Sequence, residues 1–173
     1  MSGEIRDAIE AATTWVREHP EEAAYTDSIA TARLESGLRV RVSGPDGASL
    51  ITDMPAAVGG AGSAVSPGWA FRAAVAACVL SLATMRAAQQ GVEGFTCEVE
   101  VDSESDDRGI LGLDAAVPAG PKSVRIAFRM RAAATDATDR SQLEEIAAWA
   151  VAHCPVSEAL GRAVPLTMEV SER

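Results

Sequence analysis

Three cysteines in 173 residues, Cys78, Cys97 and Cys154, carry most of the chemistry open to this chain. Cys154 stands directly before a proline in "AHCPVSEAL", residues 152–160. Proline suits the first position of a helix, so Cys154 is expected to cap a short helix through "PVSEALGR". Backbone N–H groups and the helix dipole would then face the sulfur and favour its thiolate. Cys97 sits on the apolar face of an alternating segment and reads as packing. Cys78 lies mid-helix among Ala, Val and Leu. Burial there, without a positive neighbour, raises a thiol's pKa and makes it inert, so on its own surroundings Cys78 reads as core. A metal site is a poor alternative, because His153 and Cys154 are adjacent, the chain has no CxxC, and it has one other histidine. A Ser-His-Asp site lacks a nucleophile elbow.

Two apolar helices must position these sulfurs. Ser66-Pro67 is an N-cap followed by proline, opening "GWAFRAAVAACVLSLATMRAAQQ" as a buried central helix with Phe71, Ala74, Cys78, Leu82 and Met85 as its stripe. Ser141 and Glu144 read as a capping box that opens "QLEEIAAWAVAH", which stops near His153 because Pro155 disfavours helical geometry at Cys154. Strands are expected in "SIATARLESGLRVRVSGPDGASLITDM", three of them, with Arg39 and Arg41 on one face of the second. Two more follow in "FTCEVEV" and "SVRIAFRMRA", whose acidic and basic outer faces can pair; their arginine stripe reads as a solvated face. A polar loop joins these two, and "PLTMEV" reads as a final strand. The Gly/Ala-rich segment "AAVGGAGSAV" is too permissive for regular structure. Ile5, Ile9, Ala12 and Val16 give residues 3–18 a helical face, and residues 1–27 read as a helical extension and linker before one domain, 28–173. Strands segregated from two long apolar helices argue an α+β fold.

Composition narrows the partners. With 25 acidic and 15 basic residues the net charge is -10, which repels nucleic acid and anionic membrane. No apolar run reaches the ~18 residues expected of a membrane span. The N-terminus is charged and amphipathic rather than signal-like, so a cytoplasmic protein with reduced thiols is expected.

The Gly-rich run, the proline-started helix carrying "AAC" and the later "CPVSEAL" together resemble the OsmC/Ohr family of thiol-dependent hydroperoxide reductases, over roughly residues 28–172. The resemblance implies two long central helices wrapped by antiparallel sheets in an intertwined homodimer. It implies that Cys78 attacks the peroxide and becomes a sulfenic acid, that Cys154 resolves it as a disulfide, and that an external thiol or dithiol reduces the bridge. No other cofactor is implied. It also implies an arginine from the early hairpin beside Cys78, held by a glutamate. Arg39 fits that position best, with Arg41 and Arg72 as alternatives; Arg72 precedes Cys78 by six residues and so lies on another face of the same helix. The glutamate position holds Gly68. Without that carboxylate the arginine is expected to lack a fixed partner and the Cys78 thiol to stay near the ordinary cysteine range. Two other readings remain open on the same residues: a non-catalytic dimer binding a small apolar ligand, and a redox sensor using the same cysteine pair.

Overall fold

The computed structural model describes residues 2–133 and 140–172. Helix α1 (Ser2–Glu18) precedes a three-stranded antiparallel sheet, β1 (Thr31–Ser36), β2 (Arg39–Ser43) and β3 (Ser49–Thr52). The central helix α2 (Pro67–Gln89) follows, then β4 (Thr96–Glu104), a short α3 (Asp107–Ile110) and β5 (Ser123–Arg131). The chain closes with α4 (Arg140–His153) and α5 (Pro155–Gly161). The architecture is the expected α+β, with antiparallel sheets and two long apolar helices.

Strands β4 and β5 form a two-stranded ladder from Thr96↔Arg131 to Glu104↔Ser123. Alternation sends Val99, Val101, Ile126 and Phe128 onto α2, and sends charge outward. The outward charges pair across the strands as expected: Arg129 with Glu98 and Glu100, and Arg125 with Asp102. Beneath this ladder the core has two parts. Ala83, Ala87, Val92, Ile146 and Ala150 fill one, where α2 meets α4. Val75, Val79 and Cys154 fill the other, where α2 meets α5. Small residues at 83, 87 and 150 let the two helices approach closely.

The structure corrects several expectations. The buried stripe of α2 runs through Val75, Val79, Ala83 and Ala87, one residue on from the expected Ala74, Cys78 and Leu82, and it passes over the expected Met85. Nearly every position on this helix is apolar, so periodicity could not choose the face. Its length and composition also meet the requirement for crossing a membrane, although no single apolar run stood out; here it packs on β4 and α4. Helix α4 is already helical at Arg140, so Ser141 lies inside it rather than at its cap, and the Glu144 carboxylate accepts from the Arg140 guanidinium. The polar connection between β4 and β5 contains α3, capped by Asp106, whose side chain accepts the Arg108 N–H. The segment "PLTMEV" forms no strand. Leu166, Met168 and Val170 are 95%, 85% and 84% exposed, because no strand edge of the same chain lies beside them.

Candidate functional site

Cys154 sits where the Cys-Pro junction placed it. Helix α4 ends at His153, and Pro155 occupies the first turn of α5. The Cys154 sulfur caps α5 by accepting the Ser157 backbone N–H at 3.4 Å. The Ser157 hydroxyl donates back to the Val151 carbonyl at 2.7 Å, which ties the end of α4 to the start of α5. Cys154 is wholly buried, against Val75 and Val79.

The fold brings Cys78 to this junction from α2. Its side chain is half-buried and hydrogen-bonds to Cys154. The two thiols are pushed in opposite directions. Burial raises the Cys78 pKa, and the bond to Cys154 and that sulfur's negative charge raise it further, against a lowering contribution from the Val156 N–H. Burial also opposes the Cys154 thiolate, but hydrogen bonds from Cys78, from Ser157 and from the Val156 N–H outweigh it and leave that pKa lowered. Within this chain, therefore, the cap favours thiolate on Cys154, while burial disfavours it on Cys78. The accessible sulfur is nonetheless Cys78. All three cysteines are free. Cys97 lies apart, half-buried on β4 opposite Met130, with its S–H 3.8 Å from the Glu98 carbonyl; it belongs to neither buried cluster.

The candidate arginines occupy three different settings. Arg39 donates from Nε to Glu35 at 3.0 Å and from Nη1 to the Ser63 hydroxyl at 2.8 Å. Arg41 donates to the other oxygen of Glu35 at 2.6 Å. Arg72 reaches the Ser103 hydroxyl at 3.4 Å, and its Nη1 lies 3.8 Å from where a Cβ at Gly68 would stand. Arg39 is thus held firmly although position 68 carries no carboxylate. None of the three is among the groups acting on the Cys78 thiol within this chain.

Sequence reasoning missed Asp53. It is 1% exposed and lies just after β3. Its carboxylate accepts N–H groups from Met54 at 2.8 Å and Ser63 at 3.0 Å, another from Ala61, and the Ser63 hydroxyl at 2.8 Å. These donors, the Ser63 backbone first, hold its pKa below the usual carboxylate range. The Gly/Ala segment that looked merely permissive is thus a loop folded around a carboxylate. The signal that could have found it is "GGAGS", residues 59–63, whose serine stands ten residues after an aspartate that directly follows a strand.

Residues 60–169, more than half of the chain, match the family of OsmC-like proteins. No curated protein matches. Among solved structures, the organic hydroperoxide resistance protein OsmC of Legionella pneumophila is 26% identical, with a TM-score of 0.54 over 79% of this chain and 90% of that one. An OsmC-like protein of Mycoplasma pneumoniae is 13% identical, with a TM-score of 0.66 over 81% of this chain and 91% of that one. One from Vibrio cholerae is 15% identical, with a TM-score of 0.61 over 78% and 94%.

Proposed function

The chain belongs to the OsmC-like protein family, and on that premise we propose that it reduces organic hydroperoxides, with Cys78 as the attacking sulfur and Cys154 as the resolving one. The observation that carries this reading is the hydrogen-bonded thiol pair, half-open at Cys78 and closed at Cys154. An accessible sulfur can meet a peroxide, and a neighbouring thiol can resolve the sulfenic acid as a disulfide. The similarity to the Legionella hydroperoxide resistance protein supports the substrate class.

The Cys78 thiolate attacks the terminal peroxide oxygen. The O–O bond breaks, the alkoxide takes a proton from water and leaves as alcohol, and Cys78 becomes a sulfenic acid. The Cys154 thiolate, already favoured by its cap, attacks the Cys78 sulfur. The S–O bond breaks, hydroxide leaves and is protonated to water, and a 78–154 disulfide remains. An external thiol or dithiol returns both sulfurs to the reduced state by exchange. The downward shift of the Cys154 thiol suits a resolving residue, because resolution needs a thiolate poised beside the sulfenic acid.

The active form in this reading is a homodimer. The β1–β3 sheet makes no extended packing with the helices of its own chain, and Leu34 on it is 68% exposed. The alternating apolar residues of 164–170 are exposed as well. A second copy would cover both, through an interface on the order of 2,000 Å² or more.

The test is consumption of cumene hydroperoxide and hydrogen peroxide with a dithiol reductant, on the native protein and on Cys78→Ser. Turnover of the organic peroxide that disappears in the variant is the expected result. No turnover of either peroxide by the native protein would remove the enzymatic reading and leave a ligand-binding or sensing protein.

A further inference from the structure

The Arg39 guanidinium is fixed at two of its three nitrogens. Glu35 holds Nε and Ser63 holds Nη1, while Nη2 has no hydrogen-bond partner among the described residues. Each anchor has a structural origin. Glu35 lies at a bulge in β1, where the register against β2 slips between Leu34 and Ser36. A bulge re-aims the side chain it carries, and here one carboxylate reaches both Arg39 and Arg41. The Ser63 hydroxyl accepts from Arg39 and donates to the Asp53 carboxylate, so its single proton is already committed and its lone pair faces the arginine. Asp53 in turn is locked by three backbone N–H groups.

The loop cannot take another shape easily. The Gly62 N–H donates to the Met54 carbonyl at 3.0 Å, and a Cβ on Gly60 would fall 1.8 Å from that same oxygen. Glycine is therefore required at position 60 for close approach of two backbone segments. The result is a rigid chain from a buried carboxylate, through a hydroxyl, to a guanidinium.

We infer that Asp53 and Ser63, together with the bulged Glu35, are the positioning residues that hold Arg39 in place of a carboxylate at position 68, leaving Nη2 free to hold the Cys78 thiolate. This rests on the peroxide-reducing reading for its purpose. It also answers the problem that the thiol pair poses. Within one chain burial pushes the Cys78 thiol up. A fixed cation beside Cys78 favours thiolate on the sulfur that peroxide can reach. Arg39 stands on the sheet that lies off its own helical core, so in the dimer proposed above it serves Cys78 across the interface. A held guanidinium loses less side-chain freedom on meeting the sulfur than a free one does.

The experiment follows the rate of iodoacetamide alkylation against pH in a Cys97→Ser, Cys154→Ser background, which isolates Cys78. Ser63→Ala is introduced there, with Ser63→Thr as the conservative variant and Arg39→Ala as the reference for complete loss. Ser63→Ala should move the Cys78 profile upward by about one pH unit, which lowers the rate at neutral pH about tenfold. Ser63→Thr should restore the parent profile, and Arg39→Ala should shift it at least as far as Ser63→Ala. Glu35→Gln, which keeps the side-chain shape, gives a second reading if the loop variant fails to fold, and should shift the profile in the same direction. The inference is overturned if Arg39→Ala shifts the profile while neither Ser63→Ala nor Glu35→Gln does, or if none of them does. A shift by these variants in a protein that consumes no peroxide would instead leave the arginine support standing and remove the enzymatic reading.

Discussion

Replacing Gly68 tests how the start of α2 is built. Ser66 caps the helix by accepting the Trp69 N–H at 3.1 Å, Pro67 takes the first helical position, and Gly68 the second. Glycine is costly in a helix, by roughly 0.5–1 kcal/mol relative to alanine. A new Cβ would meet Arg72 Nη1 at 3.8 Å and Ser66 Oγ at 3.9 Å, which is ordinary contact. Gly68→Ala should therefore stabilise by about 0.5 kcal/mol, the lower end because the first turn is only partly committed. Gly68→Glu adds a carboxylate at the positive end of the helix, worth roughly 0.3–1 kcal/mol, and an i,i+4 pair with Arg72, worth roughly 0.2–0.5 kcal/mol. The total is about 1–2 kcal/mol. For a chain of this size that raises Tm by about 3–6 °C. Gly68→Lys keeps the propensity gain and reverses both electrostatic contributions, so it should fall close to the native protein. Thermal unfolding at one fixed protein concentration measures all three, since a dimer's Tm depends on concentration. Added salt should shrink the gap between Glu and Ala and leave the Ala gain untouched. A Gly68→Glu protein no more stable than Gly68→Ala would refute the electrostatic part. One less stable than the native protein would show that this helix start is covered by a neighbouring chain rather than open.

One equivalent of hydroperoxide should produce a 78–154 disulfide with Cys97 still a thiol, which needs Cα atoms roughly 4.4–6.8 Å apart or a small local shift to reach that; peptide mapping that finds Cys97 bridged while Cys78 stays reduced contradicts the assignment. Gly60→Ala should cost more than about 2 kcal/mol in urea unfolding, because its Cβ would lie 1.8 Å from a backbone oxygen that cannot rotate away, whereas at Gly37, with open space and a φ of +54°, only the roughly 1–2 kcal/mol of left-handed strain applies. Equal losses at the two sites would mean the 59–63 loop is not closed on Met54. Sedimentation at micromolar concentration should give twice the 17.9 kDa chain mass, and a single-chain species alone would exclude the dimer.

Much of this protein was legible from short-range chemistry. The Ser66-Pro67 start of α2, the Cys154-Pro155 junction and the alternation of β4 and β5 each depend on residues within one or two turns of one another. Their physical causes are cap hydrogen bonds, the fixed φ of proline and the two-residue period of a strand, and all three act before any long-range contact forms. The charge pattern of the outer strand faces was equally readable, because antiparallel register puts Glu98 opposite Arg129 and Asp102 opposite Arg125.

Tertiary structure decided the rest. Helix α2 is apolar on nearly all sides, so only packing against β4, α4 and α5 chose Val75, Val79 and Ala83 as the buried face and left Cys78 half-open. The directions of the Cys78 and Cys154 shifts follow from burial and from the α5 cap, which the sequence foreshadowed; the contact that adds to both joins residues 76 positions apart, and only the fold makes it. The anchoring of Arg39 draws on Glu35, Ser63 and Asp53, whose meeting requires a bulge in one strand and a glycine loop closed over the end of another. "PLTMEV" has the alternation of a strand but stays unpaired, since a strand exists only where a second edge accepts its hydrogen bonds. Composition and spacing state what each segment is able to form; which groups end up within reach of one another depends on chain closure, and that is a property of the whole fold.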